Sequence, residues 1–330
     1  MSEGIAYARA GILGNPSDGY FGKIIAISVK NFAARCILEE SAQLRIELQA
    51  EDRETYGSLQ ELAESVGLYG YYGGVRLIKA ALKKFFEYCR SRDIRLHDQN
   101  FTVRYESEIP RQVGLGGSSA IVTAMMRALM KFYGVEIPIH LQPSLVLSSE
   151  RDELDISAGF MDRVTQVYEG CVYMDLPEVM IKEKGYGIYE RLDPGLLPDL
   201  YLAYKPSLGK VSGRLLNDIR IRYERGDAFV IDTLRQIAGL AEMGKAAMLA
   251  GDREALFDLM NKNFDLRRKI MNVHPGNIEM IETARRLGAS AKFAGSGGSI
   301  LGIFKGPEMY EKLVSELTNL GAGVIRPVIE

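Results

Sequence analysis

The chain has 330 residues, 47% of them hydrophobic and 25% charged, which is the composition of a soluble globular protein long enough for two domains. The net charge of −2 gives no electrostatic reason to expect nucleic acid or an anionic membrane as a partner. No apolar run reaches the length of a membrane span, and the first residues lack the basic region and apolar core of a secretory signal. We therefore expect a cytoplasmic protein that binds no membrane, and the balanced charge leaves a homodimer open.

Cysteine and histidine usage agrees with that expectation. The three cysteines are odd in number and far apart in the sequence: Cys36, Cys89 and Cys171. This pattern predicts buried thiols in a reducing compartment and not a disulfide framework. The three histidines are isolated and have no zinc-ligand spacing.

The first elements of the chain predict a mixture of strands and helices. Residues 8–23 are a glycine-punctuated loop, and apolar runs predict strands at 24–29, 34–38 and 44–48. In the last of these, apolar and charged residues alternate. We therefore expect this strand to have one solvent-exposed face. A helix with an apolar stripe follows Gly74.

The next elements surround a glycine-rich segment. Alternation at 101–106 predicts a half-buried strand, and helical spacing of apolar residues begins at Ile121. Further on, Pro143 opens a helix, a shorter helix follows Gly159, and residues 171–176 form a strand.

Residues 193–199, with two prolines and a glycine, form the best candidate boundary between two domains. The remaining elements are predicted strands at 200–204, 292–294, 299–304 and 324–328, and predicted helices at 212–225, 227–250, 252–270 and 307–320. Strands and helices do not alternate as βαβ units would, so the fold class is α+β and not a doubly wound sheet.

The glycine-rich segment is Ile109-Pro-Arg-Gln-Val-Gly-Leu-Gly-Gly-Ser-Ser-Ala120. Glycines let a backbone approach an anion closely, and free N–H groups at a helix start favour negative charge. Ser118 and Ser119 either cap the helix or bring one hydroxyl to a metal that accompanies the anion. The segment alone is equally consistent with an anion site and with a plain capping turn.

The best-known phosphate-binding signatures do not fit. The sequence has no Walker loop, and Ser119 stands where the dinucleotide fingerprint requires its last glycine. The elements of protein kinases are also absent. However, two further glycine-rich segments, at 8–23 and 292–302, accompany the first, and turns alone rarely produce that pattern.

Together the three segments resemble the motifs of the GHMP kinases, a family of small-molecule kinases, and they occur in the family's order along nearly the whole chain. The resemblance implies two α+β domains. Residues 1–190 would form an ATP-binding domain similar to ribosomal protein S5 domain 2, and residues 191–330 a ferredoxin-like domain. The substrate would bind in the cleft between them.

The resemblance also implies roles for residues around ATP and Mg²⁺. The residues expected to bind the ATP phosphates are Pro110, Gly114, Leu115, Gly116, Gly117, Ser118 and Ser119. Ser118 and Glu150 match the family's Mg²⁺-binding pair. Without the resemblance, Glu150 would be interpreted as part of a solvated helix face.

For catalysis, Asp162 matches the family's catalytic aspartate, and Arg9 matches the basic residue that would keep it ionised. For the substrate, Asp18 matches a sugar-binding aspartate. The third segment, also expected beside the substrate, comprises Gly295, Ser296, Gly297 and Gly298. The residues alone leave plainer alternatives open: a helix-start acid for Asp162, an ordinary salt bridge for Arg9, and turns for Asp18 and the third segment.

Within the family, the sequences of the motifs are most similar to those of the glucuronokinase branch, which implies phosphorylation of the anomeric hydroxyl of glucuronate. The alternatives are a family kinase of a neutral hexose, a heptose phosphate or an isoprenoid precursor, and a non-catalytic ligand-binding member. The first motif carries Gly14-Asn15-Pro16 where galactokinases and mevalonate kinases usually have Gly-Glu-His. This difference weakens galactokinase and mevalonate kinase as specific interpretations. Charge alone marks four candidates for binding a uronate carboxylate: Arg111, Lys23, Lys210 and Arg214.

Overall fold

The structure is a computed structural model that describes residues 1–48 and 73–330, and only the backbone of residues 209–217. Its elements form an α+β fold built on two mainly antiparallel sheets joined through residues 193–199. Within these ranges, no helix combines the length and the apolar character needed to cross a membrane.

The first sheet has six strands. They are β1 (Ser2–Leu13), β2 (Lys23–Ser41), β3 (Arg45–Ile46), β4 (Asn100–Ser107), β5 (Cys171–Asp175) and β6 (Ile188–Leu192). The long strand β2 is its centre, because it pairs with β1 along most of its length, with β5 through its first part and with β4 through its second part. These pairs are antiparallel, whereas β3 joins β4 in parallel.

The helices of this part are α1 (Gly74–Ser91), α2 (Gly117–Tyr133), α3 (Gln142–Leu154), α4 (Met161–Tyr168) and α5 (Glu178–Lys184). Helix α2 packs closely on β1. A Cβ at Gly4 would lie only 1.9 Å from the carbonyl oxygen of Ala124, so only glycine permits this approach. The glycine-rich segment before α2 is thereby held against the strand that carries Arg9.

The second sheet has four strands in the order β10-β7-β9-β8, all antiparallel. They are β7 (Leu200–Tyr204), β8 (Lys292–Phe293), β9 (Ser299–Ile303) and β10 (Gly323–Ile325). Its helices are α6 (Ser212–Glu224), α7 (Ala228–Ala250), α8 (Arg253–Ile270), α9 (Pro275–Arg286) and α10 (Gly306–Asn319). Helix α7 also contacts β1 and β2, and a single apolar core includes residues of both sheets.

The structure confirms the α+β class, most of the predicted elements and the burial of the three thiols. Three predictions were wrong. Residues 8–13 are strand and not loop, because their small apolar residues are buried on both faces and show no alternation. The strands predicted at 24–29 and 34–38 are one strand, which a register shift against β1 bends between Val29 and Ala33.

The third error concerns residues 44–48, of which only Arg45 and Ile46 are strand. Leu44 and Leu48 are each 50% exposed, so the predicted apolar face is not covered. Helix α9 was missed because Pro275 and Gly276 resemble a turn, although His274 caps the helix through its Nδ1 and Pro275 occupies the first turn.

Candidate active site

The glycine-rich loop leads from β4 into α2 and leaves the start of that helix uncapped. Gly114 and Gly116 have φ angles of 73° and 76°, in the region that favours glycine. The N-cap residue of α2 is Gly116, which has no side chain to cap the helix, and Ser119 donates from its hydroxyl to the Gly116 carbonyl at 3.0 Å. The first-turn amides of α2 therefore keep the capacity to bind an anion.

Contacts from three directions fix the loop. The backbone N–H of Arg9 donates to the Leu115 carbonyl at 3.1 Å, and Gln166 Nε2 donates to the Gly116 carbonyl at 2.8 Å. The Ser299 hydroxyl donates to the Val113 carbonyl at 2.6 Å. A loop held in this way is preorganised, which reduces the conformational cost of binding. Pro110 and Gly117, the other expected phosphate-binding residues, lie half-buried at its two ends.

Arg9 and Asp162 form a direct ion pair beside this loop. Arg9 Nε lies 2.6 Å from Asp162 Oδ1, and Arg9 Nη1 donates to the Gly114 carbonyl at 2.5 Å. The two side chains are 5% and 17% exposed, so the pair is shielded but reachable. Arg9 lies on β1 and Asp162 in the first turn of α4, so the structure joins residues that are distant in the sequence.

The charge around Asp162 favours its ionised form. Burial alone would raise the pKa of Asp162, but the positive charges of Arg9 and Arg163 and the Arg9 hydrogen bond outweigh it, so that this pKa lies below its usual value. Arg163 Nη1 is 3.3 Å from Asp162 Oδ2. Asp162 is thus a carboxylate at neutral pH, fixed in orientation by two guanidinium groups.

Ser118 and Glu150 are also brought together. The Ser118 hydroxyl donates to Glu150 Oε1, and Arg163 Nε donates to Glu150 Oε2 at 2.8 Å. Glu150 is fully buried, so it is not part of the solvated helix face that the residues alone favour.

This oxygen pair fits a magnesium ion that keeps most of its other ligands. The described residues contain no group of three or more histidine, cysteine or acidic side chains that could hold a metal by itself. Two ligands at about 2.1 Å from an octahedral Mg²⁺ lie about 3 Å apart, close to a hydrogen-bond distance. A hydroxyl and a carboxylate already in contact therefore match an ion whose remaining ligands are waters and phosphate oxygens.

Asp18 lies in a single 3₁₀ turn, Ser17–Gly19, and faces the start of α4. Its Oδ2 accepts a hydrogen bond from the backbone N–H of Met161 at 3.1 Å. Burial and the negative charge of Asp162 raise the pKa of Asp18 from 3.8 to about 6. Asp18 is therefore both a turn residue and a carboxylate with an unusual pKa next to the Arg9–Asp162 pair.

The third glycine-rich segment is the turn between β8 and β9, and it packs directly on the loop. A Cβ at Gly295 would lie 2.0 Å from the Gly114 carbonyl oxygen, and a Cβ at Gly114 would lie 2.9 Å from the Ser296 nitrogen. Gly297 and Gly298 have φ angles of 134° and 79°, and Asn277 Oδ1 accepts from the Gly298 N–H. The structure thus brings the segments 8–23, 109–120 and 292–302 together at one place.

Sequence reasoning missed four polar residues of the site: Arg163, Gln166, Arg267 and Lys292. All four are at most 4% exposed. The sequence held a signal for Arg267, because it and Asn263 follow the same helical spacing as the buried apolar residues of α8. Arg163 and Gln166 had no comparable signal, since they contact partners that only the fold brings close.

The four cations selected by charge are not supported as carboxylate ligands. Lys23 Nζ lies 2.9 Å from Glu242 and 3.8 Å from Asp175, so its charge is already paired. Arg111 is exposed on the loop. Lys210 and Arg214 belong to 209–217, outside the described side chains.

Two family models match the sequence. The one described as GHMP kinases N terminal domain matches residues 76–170, and the one described as GHMP kinases C terminal matches residues 245–323. The chain is 43% identical over 324 residues to Glucuronokinase 1 of Arabidopsis thaliana, covering 96% of this chain and 89% of that protein. It is 44% identical over 332 residues to Probable glucuronokinase 2 of the same plant, covering 98% and 90%.

Solved structures share the fold at lower identity. Phosphomevalonate kinase of Streptococcus pneumoniae, in complex with phosphomevalonate and AMPPNP, has a TM-score of 0.76 at 15% identity, covering 99% of this chain and 100% of that one. Lactococcus lactis galactokinase complexed with galactose has a TM-score of 0.74 at 15% identity, covering 99% and 93%.

Proposed function

Because the chain belongs to the GHMP kinase family, we propose that it transfers the γ-phosphoryl group of ATP to the anomeric hydroxyl of glucuronate. The observation that carries the proposal is the ion pair of Arg9 and Asp162, which lies against an uncapped helix start and a loop of left-handed glycines. The identity to two curated glucuronokinases supports glucuronate as the substrate.

In this proposal the ATP phosphates bind the loop from Gly114 to Ser119 and the first-turn amides of α2. Ser118 and Glu150 hold Mg²⁺, which neutralises phosphate charge when it is bound. The family relation supports this nucleotide and this ion, and the Ser118–Glu150 contact supports the place of the ion.

Asp162 holds the attacking hydroxyl in line with the γ-phosphorus and takes its proton. As the new O–P bond forms at the sugar oxygen, the bond from the γ-phosphorus to the bridging oxygen breaks and ADP leaves. The transition state of such transfers is loose, so orientation contributes more than base strength. A carboxylate with a low pKa suits that role, and Arg9 stabilises the charge that develops on the transferred group.

Asp18 and the turn Gly295–Gly298 bind the sugar. A carboxylate that accepts hydrogen bonds from two neighbouring hydroxyls is a natural sugar clamp. The proposal divides the chain into an ATP-binding part, residues 1–190, and a second part, residues 191–330. The change from the first sheet to the second between β6 and β7 supports that boundary.

The proposal is tested by measuring ADP formation by the purified protein with ATP and Mg²⁺. The acceptor panel contains glucuronate, galacturonate, glucose, galactose, arabinose and mevalonate. We expect glucuronate to give the highest kcat/KM. Turnover of a neutral sugar or of mevalonate in preference to glucuronate would contradict the proposed substrate.

A further inference from the structure

Helix α8 carries a buried arginine that faces the third glycine-rich turn. Arg267 is 1% exposed, and its Nη1 donates to the Gly295 carbonyl at 2.7 Å. Its Nε contacts Met271 Sδ at 3.1 Å, and its guanidinium lies 5.0 Å from the centre of the Phe293 ring. All of these contacts are with neutral groups.

Arg267 differs in this respect from the other buried arginines of the site. Arg9 is paired with Asp162, and Arg163 with Glu150 and Asp162. Among the described residues, no carboxylate lies within ion-pair distance of Arg267, and its hydrogen-bond contacts use Nε and Nη1. An unpaired buried charge is costly, so a protein that keeps one usually pairs it with a ligand.

The position of this charge is next to the reacting groups. The Gly295 carbonyl that accepts from Arg267 also accepts from Asn15 Nδ2 at 3.3 Å. A Cβ at Gly295 would lie 2.8 Å from Arg9 Nη1, so Arg267 and the Arg9–Asp162 pair both lie next to this glycine. Asn15 Oδ1 is buried there without a donor among the described residues.

Lys292 is the other buried cation nearby, and its ammonium group is already occupied. It donates to the carbonyls of Gly11 and Phe293, both at 2.6 Å. Burial and the charges of Arg267 and Arg9 hold the pKa of Lys292 well below its usual value. Lys292 is therefore a structural donor between β1 and β8. Arg267 is the buried cation with no carboxylate in contact, and Asp18 supplies the main negative charge that acts on the pKa of Arg267.

We propose that Arg267 and Asn15 form an anion subsite that binds the carboxylate of the sugar acid and selects it over neutral sugars. The inference rests on the proposed function and adds the residue that determines its specificity. A guanidinium whose contacts are all with neutral groups keeps its full positive charge for a carboxylate, and its Nη2 is the nitrogen left to donate. The orphan amide oxygen of Asn15 accepts a hydrogen bond from a neighbouring sugar hydroxyl.

The subsite explains discrimination as well as binding. A neutral sugar bound beside Arg267 leaves this buried guanidinium without a negative charge. Sites whose buried polar groups are left unpaired reject such analogues much more strongly than sites that merely lose an apolar contact. Glucose, with a hydroxymethyl group in place of the carboxylate, is therefore expected to be a poor substrate.

The first test uses the unmodified protein and compares glucuronate with glucuronamide, its uncharged analogue of nearly equal size. We expect KM to be at least about 30-fold higher for glucuronamide, because truncation of one partner of a buried charge pair costs a factor of that order or more. Equal KM values for the two compounds would overturn the subsite, while both compounds being inert would instead contradict the proposed function.

The second test uses Arg267→Met and Arg267→Lys, with Arg268→Met as the matched control. Arg268 is the adjacent residue, its side chain is 52% exposed and it pairs loosely with Glu282 at 3.7 Å. We expect both Arg267 variants to raise KM for glucuronate by at least about 30-fold and to leave KM for ATP and the KM for glucose nearly unchanged. The Arg268 variant should resemble the unmodified protein.

Two outcomes of the variant test would count against the subsite. An equal rise in KM for glucose and for glucuronate would show that Arg267 acts on the phosphoryl group or only supports the folded structure. An unchanged KM for glucuronate in a folded Arg267 variant would exclude it from binding. If Arg267→Met does not fold, Arg267→Lys, which keeps the charge and loses the planar fork, and the glucuronamide comparison decide the question.

Discussion

The two sides of the candidate active site differ in how their charges are paired. On the side of α2, α3 and α4, Arg9, Asp162, Arg163 and Glu150 form one connected network in which every charge has a partner. On the side of α8 and the β8–β9 turn, Arg267 has only neutral contacts and Asn15 Oδ1 has no donor among the described residues. The first side is complete without a ligand, whereas the second needs one.

This difference separates chemistry from recognition. A network of paired charges holds the catalytic groups in one geometry, as preorganised electrostatic stabilisation requires. Unpaired buried groups favour whichever ligand supplies the missing charge and hydrogen bonds. Substitutions on the first side should therefore lower kcat for every acceptor, and those on the second side should change the choice of acceptor.

The largest effect is expected for Asp162→Asn. The substitution keeps the shape of the side chain and removes the charge that orients the attacking hydroxyl and accepts its proton. We therefore expect kcat to fall by about 10² or more, with ATP affinity retained. Single-turnover kinetics and nucleotide titration measure the two quantities. Asp152→Asn, at an exposed position of α3, is the control. An unchanged kcat would remove Asp162 from the mechanism.

The second prediction concerns the contact between the third segment and the loop. Gly295→Ala places a Cβ 2.0 Å from the Gly114 carbonyl oxygen, so backbone must move, and we expect a loss of about 2–3 kcal/mol in unfolding free energy together with weaker ATP binding. Gly239→Ala is the matched control on α7, where a Cβ meets nothing within 4 Å, and it should stabilise by about 0.5–1 kcal/mol. Urea denaturation of both variants provides the comparison.

The third prediction follows from the pKa of Asp18. Because this pKa is about 6 and the sugar clamp requires the ionised form, kcat/KM for the sugar should fall as the pH drops below about 6. The contribution of Asp18 to the free energy of unfolding changes in the opposite direction. Because its pKa is raised in the folded protein, this contribution is fully present below pH 3.8 and is lost as the pH rises through about 6.

Asp18→Asn should therefore raise the unfolding free energy at neutral pH by at most about 3 kcal/mol, and the gain should vanish near pH 4. Thermal unfolding of the variant and the unmodified protein across this range measures it. A variant that is less stable at neutral pH would show that the Asp18 carboxylate serves mainly to hold the start of α4.

The smallest effect is expected for Lys23→Met. Lys23 is already paired with Glu242 and Asp175 at partly exposed positions, and such pairs contribute about 1 kcal/mol or less. KM for glucuronate should change less than about twofold, in contrast to Arg267→Met. A large rise in this KM would move the carboxylate site from α8 to β2.

The glycine-rich loop and α2 could be predicted from the sequence pattern, and Arg9, Asp162, Ser118 and Glu150 were selected because the family resemblance matched them. The sequence pattern did not allow β1 to be recognised, since the second half of this strand, residues 8–13, is buried throughout and lacks the period of two. The partners of Arg163 and Gln166 depend on how α3, α4 and the loop meet, which local patterns do not encode.

Arg267 illustrates how the usual interpretation of charge fails. It lies in Asp265-Leu-Arg-Arg-Lys269, which resembles the basic last turn of a solvated helix. The neighbouring residue Arg268 follows that pattern, whereas Arg267 lies on the buried stripe. Spacing relative to Leu256, Met260 and Phe264, and not charge, distinguishes the two arginines.

The most direct test of the account is phosphorus NMR of the sugar product formed from ATP and glucuronate. We predict a single new sugar phosphate whose phosphorus couples to the anomeric proton, formed in equal amount with ADP, and greatly reduced when glucuronamide replaces glucuronate. Release of inorganic phosphate alone, or a phosphate on another hydroxyl, would contradict the assignment of Asp162, Asp18 and Arg267 to an anomeric sugar-acid kinase.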